Sequence, residues 1–272
     1  MITILDSKGN KYNLKNWHGI QCLDFSIDSP SPRRETEQVS GKDGLITTSI
    51  TLDGRTGRAS FYIEAVDSLD YVLQRNRLFQ LFNGKEQFFI VDSREPGKRW
   101  LAQTAQSYSP DKLSRRSGRV EINFTSDSPY LESVGRTLDD RTFDKEVWQL
   151  GQGLGSEDYQ YTHSTSSFEI YNAGDIDIDP RDINLELLIT FKGESSNLQI
   201  ENETTGDVWK YSGSTTSSDI ITLDGVQALK NGLSIFVDTN YQLINLAPGI
   251  NNFRVVGSNN FTISFKFRFY YY

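Results

Sequence analysis

The stretch Phe261-Thr-Ile-Ser-Phe-Lys-Phe-Arg-Phe-Tyr-Tyr271 alternates apolar and polar side chains. Successive side chains of a strand point to opposite faces, so this spacing predicts a β-strand with a buried aromatic face and a solvated face carrying Lys266 and Arg268. The same period recurs in residues 47–52, 58–64 and 120–124. The sequence therefore predicts a mainly β protein.

One segment has helical spacing instead. Asp67 can cap its first turn, and Asn83-Gly84 can end it. The apolar residues at three- and four-residue intervals, which we expect to lie against a sheet, are Leu69, Val72, Leu73, Leu78, Phe79 and Phe82. The residues expected on the exposed side are Asp70, Gln74, Arg75 and Arg77.

A chain of 272 residues exceeds what one compact core usually needs. Strand periodicity fails between about residues 136 and 166, where Gly151-Gln-Gly-Leu-Gly-Ser-Glu-Asp158 is polar. We predict an N-terminal β-sandwich-like domain with one α-helix over residues 1–140, a linker over 141–166, and a C-terminal jelly-roll β-sandwich over 167–272. Closely spaced turn signals without a helical pattern favour that last assignment.

Charge is distributed unevenly. Residues 1–140 hold 19 Lys+Arg and 19 Asp+Glu, whereas residues 141–272 hold 9 and 17. Binding to phosphate requires clustered positive charge, and neither half has such a cluster. No stretch approaches the length of apolar sequence that spans a bilayer, and residues 1–8 lack the apolar core of a signal peptide. We expect no membrane partner and folding in the cytoplasm.

The sequence contains no recognisable catalytic motif around its histidines or its cysteine. The chain has two histidines, His18 and His163, and neither lies in a nucleophile motif, so a structural role is favoured for both. The single cysteine, Cys22, lies in an apolar run and is expected to be a small buried hydrophobe. We therefore predict no enzyme activity and assign no catalytic residues, no cofactor and no binding residues.

Two short motifs resemble ligand loops. Asp175, Asp177, Asp179 and Glu186 reproduce the spacing of a calcium loop, but Pro180 stands where the sharp turn needs glycine. Acids alternating with buried Ile176 and Ile178 explain the run better, so no metal is assigned. Glycines at 151, 153 and 155 do not have dinucleotide-binding spacing and favour a flexible linker.

Aromatic residues of the second half could form a sugar-binding platform. The candidates are Trp148, Trp209, Tyr211, Tyr270, Tyr271 and Tyr272. Because strands of this kind need aromatic side chains for packing, core or subunit contact is favoured over ligand binding. Carbohydrate binding to a host cell wall remains the alternative function.

Several motifs, in order along nearly the whole chain, resemble the distal tail proteins of siphophages that infect Gram-positive bacteria. Those of the first half are Val39-Ser-Gly-Lys-Asp-Gly44, Arg77-Leu-Phe-Gln-Leu-Phe82, Asp92-Ser-Arg-Glu-Pro-Gly-Lys-Arg-Trp100 and Glu121-Ile-Asn-Phe-Thr-Ser-Asp-Ser-Pro-Tyr130. Those of the second are Phe168-Glu-Ile-Tyr-Asn-Ala-Gly-Asp175, Asp179-Pro-Arg181, Ile200-Glu-Asn-Glu-Thr-Thr-Gly206, Asn231-Gly-Leu-Ser-Ile-Phe236 and Leu246-Ala-Pro-Gly-Ile-Asn-Asn-Phe253.

This resemblance implies a structural protein of the virion tail. Its N-terminal domain would form a homohexameric ring that contacts the major tail tube protein above and the tail-associated or tip protein below. DNA would only pass through the channel. The C-terminal domain, similar to galectin-like and carbohydrate-binding modules in that family, would project outward and could anchor receptor-binding proteins.

Overall fold

The chain forms two compact units in the computed structural model, which describes residues 1–15, 17–140, 147–149, 151–155 and 159–272. The first unit comprises Met1–Leu131 with Tyr272, and the second comprises Glu132–Tyr271. The division falls after Leu131, whereas the sequence predicts one after residue 140. No helix in the described ranges has the length and apolarity needed to span a membrane.

The first unit is an antiparallel β structure with one helix, α1 (Ser68–Leu81). Its strands are β1 (Ile2–Leu5), β2 (Lys11–Asn13), β3 (Ile20–Ile27), β4 (Pro32–Glu37), β5 (Ile46–Leu52), β6 (Arg55–Glu64), β7 (Phe88–Asp92), β8 (Lys98–Thr104), β9 (Asp111–Lys112) and β10 (Ser117–Ser126), and β11 (Leu131–Ser133) begins at its last residue. The main sheet has the order β2-β1-β7-β8-β10-β6-β3, and β4 and β5 form a separate hairpin.

Helix α1 begins at the residue that the sequence indicates. The Asp67 carboxylate accepts hydrogen bonds from the backbone N–H groups of Leu69 and Asp70, each at 2.8 Å. These bonds satisfy two of the N–H groups that a helix leaves without partners at its start. Phe82 follows the helix and anchors it on the sheet, with its ring centroid 5.5 Å from that of Phe61 and 5.4 Å from that of Phe124.

The second unit contains two antiparallel sheets. Its remaining strands are β12 (Thr162–His163), β13 (Ser167–Asn172), β14 (Leu187–Gly193), β15 (Ser195–Asn202), β16 (Asp207–Thr215), β17 (Ile220–Asp224), β18 (Gln227–Lys230), β19 (Leu233–Ser234), β20 (Gly249–Val256), β21 (Phe261–Phe267) and β22 (Tyr270–Tyr271). A short 3-10 turn covers Phe236–Asp238. The six-stranded sheet has the order β12-β21-β14-β17-β18-β19, and the four-stranded sheet has the order β13-β20-β15-β16.

Aromatic side chains from both sheets meet in the core of the second unit. The Phe253 ring on the four-stranded sheet lies 4.8 Å from that of Phe265 on the six-stranded sheet. Phe168 also contacts Phe265, at 5.9 Å between ring centroids. Two sheets that share one core form a sandwich, which confirms the predicted mainly β fold.

The prediction for residues 261–271 is only partly correct. Its aromatic face is buried as predicted, but the strand stops at Phe267, and Arg268, predicted to face solvent, is only 5% exposed. The Arg268 guanidinium donates to the carbonyl oxygens of Ser133 and Val134 and lies 3.3 Å from the Glu186 carboxylate. Arginine is tolerated there because these groups satisfy its buried donors.

The segment predicted as a linker lies within the second unit. Its residues 141–146, 150 and 156–158 lie outside the described residues. Of the others, Trp148, Gln152 and Leu154 are buried. The hydroxyl of Tyr271 donates to the Gln152 carbonyl at 3.0 Å. The described part of this segment therefore packs on the sandwich.

Candidate assembly surfaces

The β4–β5 hairpin is exposed on both faces. All residues of β4 are exposed, and β5 contains no buried residue. Its large apolar side chains Ile46 and Ile50 are 54% and 62% exposed, and Leu45 in the connecting loop is 66% exposed. An isolated two-stranded hairpin is marginally stable in water, so we interpret this one as an element that another surface covers in an assembly.

A β-bulge sets which side chains share a face of this hairpin. Glu35 pairs with Ser49 and Thr36 with Thr47, so Thr48 is an extra residue in β5. Beyond the bulge, Ile46 pairs with Glu37. Because Glu35 and Glu37 are two residues apart on a strand, their side chains lie on the same face as Ile46. This face, which we call the hairpin face, combines an exposed apolar group with two carboxylates.

Helix α1 buries a different face from the one that the sequence predicts. Leu69, Val72 and Leu73, predicted to pack on the sheet, are exposed, with Leu69 at 77%. Gln74, predicted to be exposed, is buried, and its amide donates to Asp70 at 3.1 Å. Of the predicted buried set, Leu78 and Phe82 are buried, whereas Phe79 is 37% exposed, as is Val72.

The cause is that α1 has apolar residues around most of its circumference. Tyr71, Leu78 and Phe82 are the apolar side chains that are buried on the sheet side. Gly118 on β10 leaves room for Tyr71, because a Cβ at this position would clash with the Tyr71 hydroxyl. The leftover apolar side chains form an exposed stripe, here called the helix stripe. Its members are Val66, Leu69, Val72, Leu73 and Phe79.

Two arginines border the helix stripe. At 100° per residue, Arg75 and Arg77 project on opposite sides of its centre. The Arg75 guanidinium lies 5.6 Å from the centroid of the Phe79 ring, and Arg77 donates to the Gln74 side chain at 3.2 Å. The nearby acids Asp67 and Asp70 accept from backbone N–H groups at the start of the helix. The exposed side chains of Asn76 and Gln80 project between these apolar residues, so the helix stripe is mainly apolar with a basic border.

The second unit has a small apolar pocket, with a cavity volume of about 20 Å³. Leu187, Ile189, Trp209 and Leu223 are among its lining residues, and the half-exposed Phe236 lies at its edge. The polar side chains that line it are neutral, namely Gln227, Thr239 and Gln242. Such a lining suits apolar side chains of a protein better than a sugar, which needs many hydrogen bonds.

Most candidates for a sugar platform lie in the core. Trp148, Trp209, Tyr211, Tyr270 and Tyr271 are at most 6% exposed, and only Tyr272 of the set is largely exposed. A stacking platform must present ring faces to solvent, so these five rings do not form one. Packing, the favoured interpretation of the sequence, is their observed role.

The histidines and the calcium-like run, which were considered as possible catalytic or metal-binding groups, lie in structural contacts. His163 stacks on Phe168 at 4.4 Å between ring centroids, and burial lowers its pKa. His18 has a positive φ of 51° beside the Trp17–Ile20 bridge. Ile176 and Ile178 are buried and alternate with the exposed Asp175 and Asp177 and the half-buried Asp179, as predicted for the calcium-like run. Among the described residues, no three His, Cys, Asp or Glu side chains are grouped as metal ligands.

Cys22 is buried, as predicted, and burial raises the pKa of its thiol to about 11 from 9.0. At pH 8 its thiolate fraction is then about 100-fold lower than that of an ordinary thiol. We expect a disulfide reagent such as DTNB to modify the native chain at least about 100-fold more slowly than the urea-unfolded chain.

The same shift predicts a pH dependence of stability. The fold favours the neutral thiol, so the contribution of this group to the free energy of unfolding is complete below pH 9.0 and is lost as the pH rises through about 11.

In the DTNB experiment the urea-unfolded sample is the internal control. Equal modification rates in the native and unfolded chains would show that Cys22 is accessible.

Comparison with known proteins finds one family model and several solved structures that this chain resembles. Residues 13–126 match the family of the phage tail protein RIFT-related domain. The chain is similar to the crystal structure of the SPP1 Dit protein, described as a paradigm of the hub adsorption apparatus in phages infecting Gram-positive bacteria. The TM-score is 0.70 and the identity 14%, over 99% of each chain.

A chain of the phage p2 baseplate in its activated conformation gives a TM-score of 0.47 at 9% identity, over 98% of this chain and 97% of that one. No curated protein sequence matches the chain. The family and fold matches confirm the resemblance that the sequence motifs predicted.

The assembly surfaces themselves were missed by the sequence reasoning. One signal could have found the hairpin: β4, Pro-Arg-Arg-Glu-Thr-Glu over residues 32–37, has charged side chains on both faces. A strand without an apolar face has no core to pack on.

Proposed function

We propose a structural role in a virion tail for this chain, which carries the phage tail RIFT-related domain in residues 13–126 and has the fold of a siphophage distal tail protein. In this role the chain is a hub between the tail tube and the tip. The role requires surfaces that bind other proteins and requires no catalytic group.

The first unit would form a homohexameric ring. The observation that carries this proposal is the β4–β5 hairpin, whose apolar side chains Leu45, Ile46 and Ile50 are exposed in the single chain. A contact between two different patches of identical chains, repeated around an axis, closes into a ring. The balanced charge of residues 1–140 supports close contact between copies because it avoids repulsion between like charges.

The ring would contact the major tail tube protein on one side and the tail-associated or tip protein on the other. The second unit would anchor host-adsorption proteins, and the exposed apolar side chains of Val226 and Phe236 at the small pocket are the surface that supports this part. Protein interfaces combine such apolar pockets with a polar rim.

The self-assembly is tested by Ile46→Glu. Ile46 is 54% exposed in the single chain. We therefore expect the melting temperature of the variant chain to differ from that of the unmodified chain by less than about 2 °C. Burying an unpaired carboxylate in the interface should nevertheless weaken assembly by at least tenfold. Sedimentation velocity, with and without tail partners, measures the ring-sized species, and negative-stain images show its shape.

The matched control is Ile183→Glu, because Ile183 is 97% exposed and lies in the second unit. This variant should assemble like the unmodified chain. A chain that remains monomeric at every concentration and with every tail component contradicts the proposed function.

A further inference from the structure

Every copy of the first unit presents two different apolar surfaces. One is the hairpin face with the neighbouring loop residues Val39 and Leu45, and the other is the helix stripe. The side chains of both remain exposed within one copy, so neither covers the other in the same chain. Exposed apolar side chains grouped in this way are typical of protein interaction surfaces.

The two surfaces are complementary in charge. Glu35 and Glu37 share the hairpin face with Ile46, whereas Arg75 and Arg77 border the helix stripe. Arg33, which shares this face of β4, is already paired with Asp53 at 3.1 Å, and Arg34 lies on the opposite face. The carboxylates of one surface could therefore approach the guanidinium groups of the other while the apolar side chains between them are buried.

The surfaces also match in number. Each copy carries one hairpin and one helix stripe, so joining the hairpin of one copy to the helix of the next leaves one of each free at the ends of any open chain of copies. A contact of this heterologous kind is satisfied everywhere only when the chain of copies closes. A partner of another kind would have to supply both complements.

We infer that the helix stripe of α1 is the docking surface for the β4–β5 hairpin of a second copy of this chain. Ile46 and Leu45 would pack on Leu69 and Leu73, with Glu37 directed to the arginine border. This inference rests on the proposed function, because it assigns the contact that closes the ring. It also explains why α1 keeps large apolar side chains on the face away from its own sheet.

Cross-linking between two singly substituted chains tests the contact. One chain carries Ile46→Cys and the other Leu69→Cys, and a short bifunctional maleimide is added after mixing under assembly conditions. Cys22 can stay, because it is buried in every copy. We expect covalent dimers in the mixture at a level at least tenfold above either variant alone.

The matched control replaces Leu69→Cys by Ile183→Cys, which is fully exposed but lies in the second unit. The mixture of Ile46→Cys with this control should give no more dimer than the single variants. Leu73→Cys serves as a second helix position should Leu69→Cys fold poorly, since the two residues lie one turn apart on the helix stripe.

A charge exchange provides an independent readout. Glu37→Arg should weaken assembly about tenfold by placing like charges together, and Arg75→Glu with Arg77→Glu in the same chain should restore it. If the chain with all three substitutions folds normally but does not regain assembly, the contact is contradicted.

The outcomes separate the two proposals. Ring-sized assembly without the Ile46–Leu69 cross-link overturns this inference and leaves the proposed function standing. Cross-linking of Ile46→Cys to itself indicates a two-fold contact between hairpins and also overturns it. Cross-linking of Ile46→Cys only to an added tail protein assigns the hairpin to that partner instead. A chain that never assembles overturns both.

Discussion

Arg268→Met is expected to lower the free energy of unfolding of the second unit by about 3–5 kcal/mol. The guanidinium is 5% exposed and donates to the carbonyl oxygens of Ser133 and Val134. Its Nε also lies 3.3 Å from the carboxylate of Glu186, which Arg136 contacts at 2.7 Å. Methionine fills similar volume but removes the guanidinium donor of the two carbonyl oxygens, whose desolvation is then uncompensated, and leaves Glu186 with Arg136 alone.

Urea unfolding followed by fluorescence and circular dichroism measures this change. The matched control is Arg254→Met, because the Arg254–Glu203 pair is separated by 3.8 Å and is more than half exposed on the arginine side. Surface pairs of this kind contribute at most about 1 kcal/mol. If the two variants unfold alike, the buried network around Arg268 has no special stabilising role.

Phe82→Ala should destabilise the first unit by about 3–5 kcal/mol. The Phe82 ring is buried and contacts the rings of Phe61, Phe88 and Phe124 at 5.3 to 5.5 Å between centroids. Removing it opens a cavity where the helix meets the sheet, so both the transfer energy and the packing contacts are lost. Thermal unfolding monitored by near-ultraviolet circular dichroism reports the loss.

Phe79→Ala is the control within the same helix. Phe79 is 37% exposed, and its ring contacts that of Tyr108 at 5.5 Å between centroids. Its replacement should cost about 1 kcal/mol in the single chain. Equal destabilisation by the two substitutions would mean that α1 packs on the sheet through the stripe that we describe as exposed.

Strand periodicity was a reliable guide wherever one side of a strand is apolar. The alternation that begins at Phe261 identifies a core strand, and its aromatic side chains are buried as predicted. The period cannot show that Arg268 is buried. That outcome depends on acceptors from residues 133, 134 and 186, which are distant in sequence.

Helix α1 shows the limit more clearly. Its start at Asp67 and its end before Asn83-Gly84 follow from local chemistry, and both were predicted. The predicted orientation of the helix was wrong. Leu69 and Leu73 form one apolar face and Tyr71 and Leu78 another, and only the shape of the sheet decides which face is buried. A helix with two apolar faces is itself the signal that one of them serves another surface.

The β4–β5 hairpin shows a second limit of prediction from sequence. Its strands were partly predicted, at residues 47–52, but an alternating pattern does not reveal whether a core lies beneath it. Ile46 and Ile50 are as apolar as buried strand residues, yet no layer of the single chain covers them. Sequence reasoning about one copy finds strands and cannot find faces that only a second copy covers.

The order of the main sheet has a consequence for synthesis on the ribosome. Strand β1, at residues 2–5, pairs with β7, at residues 89–92, and β6 pairs with β10 across a separation of about 60 residues. Such distant pairings make folding slow, because loop closure must precede the contacts that reward it. The nascent first unit therefore lacks β10, the partner of both β6 and β8, until about residue 126 has left the exit tunnel. In this interval chaperone binding or aggregation competes with its folding.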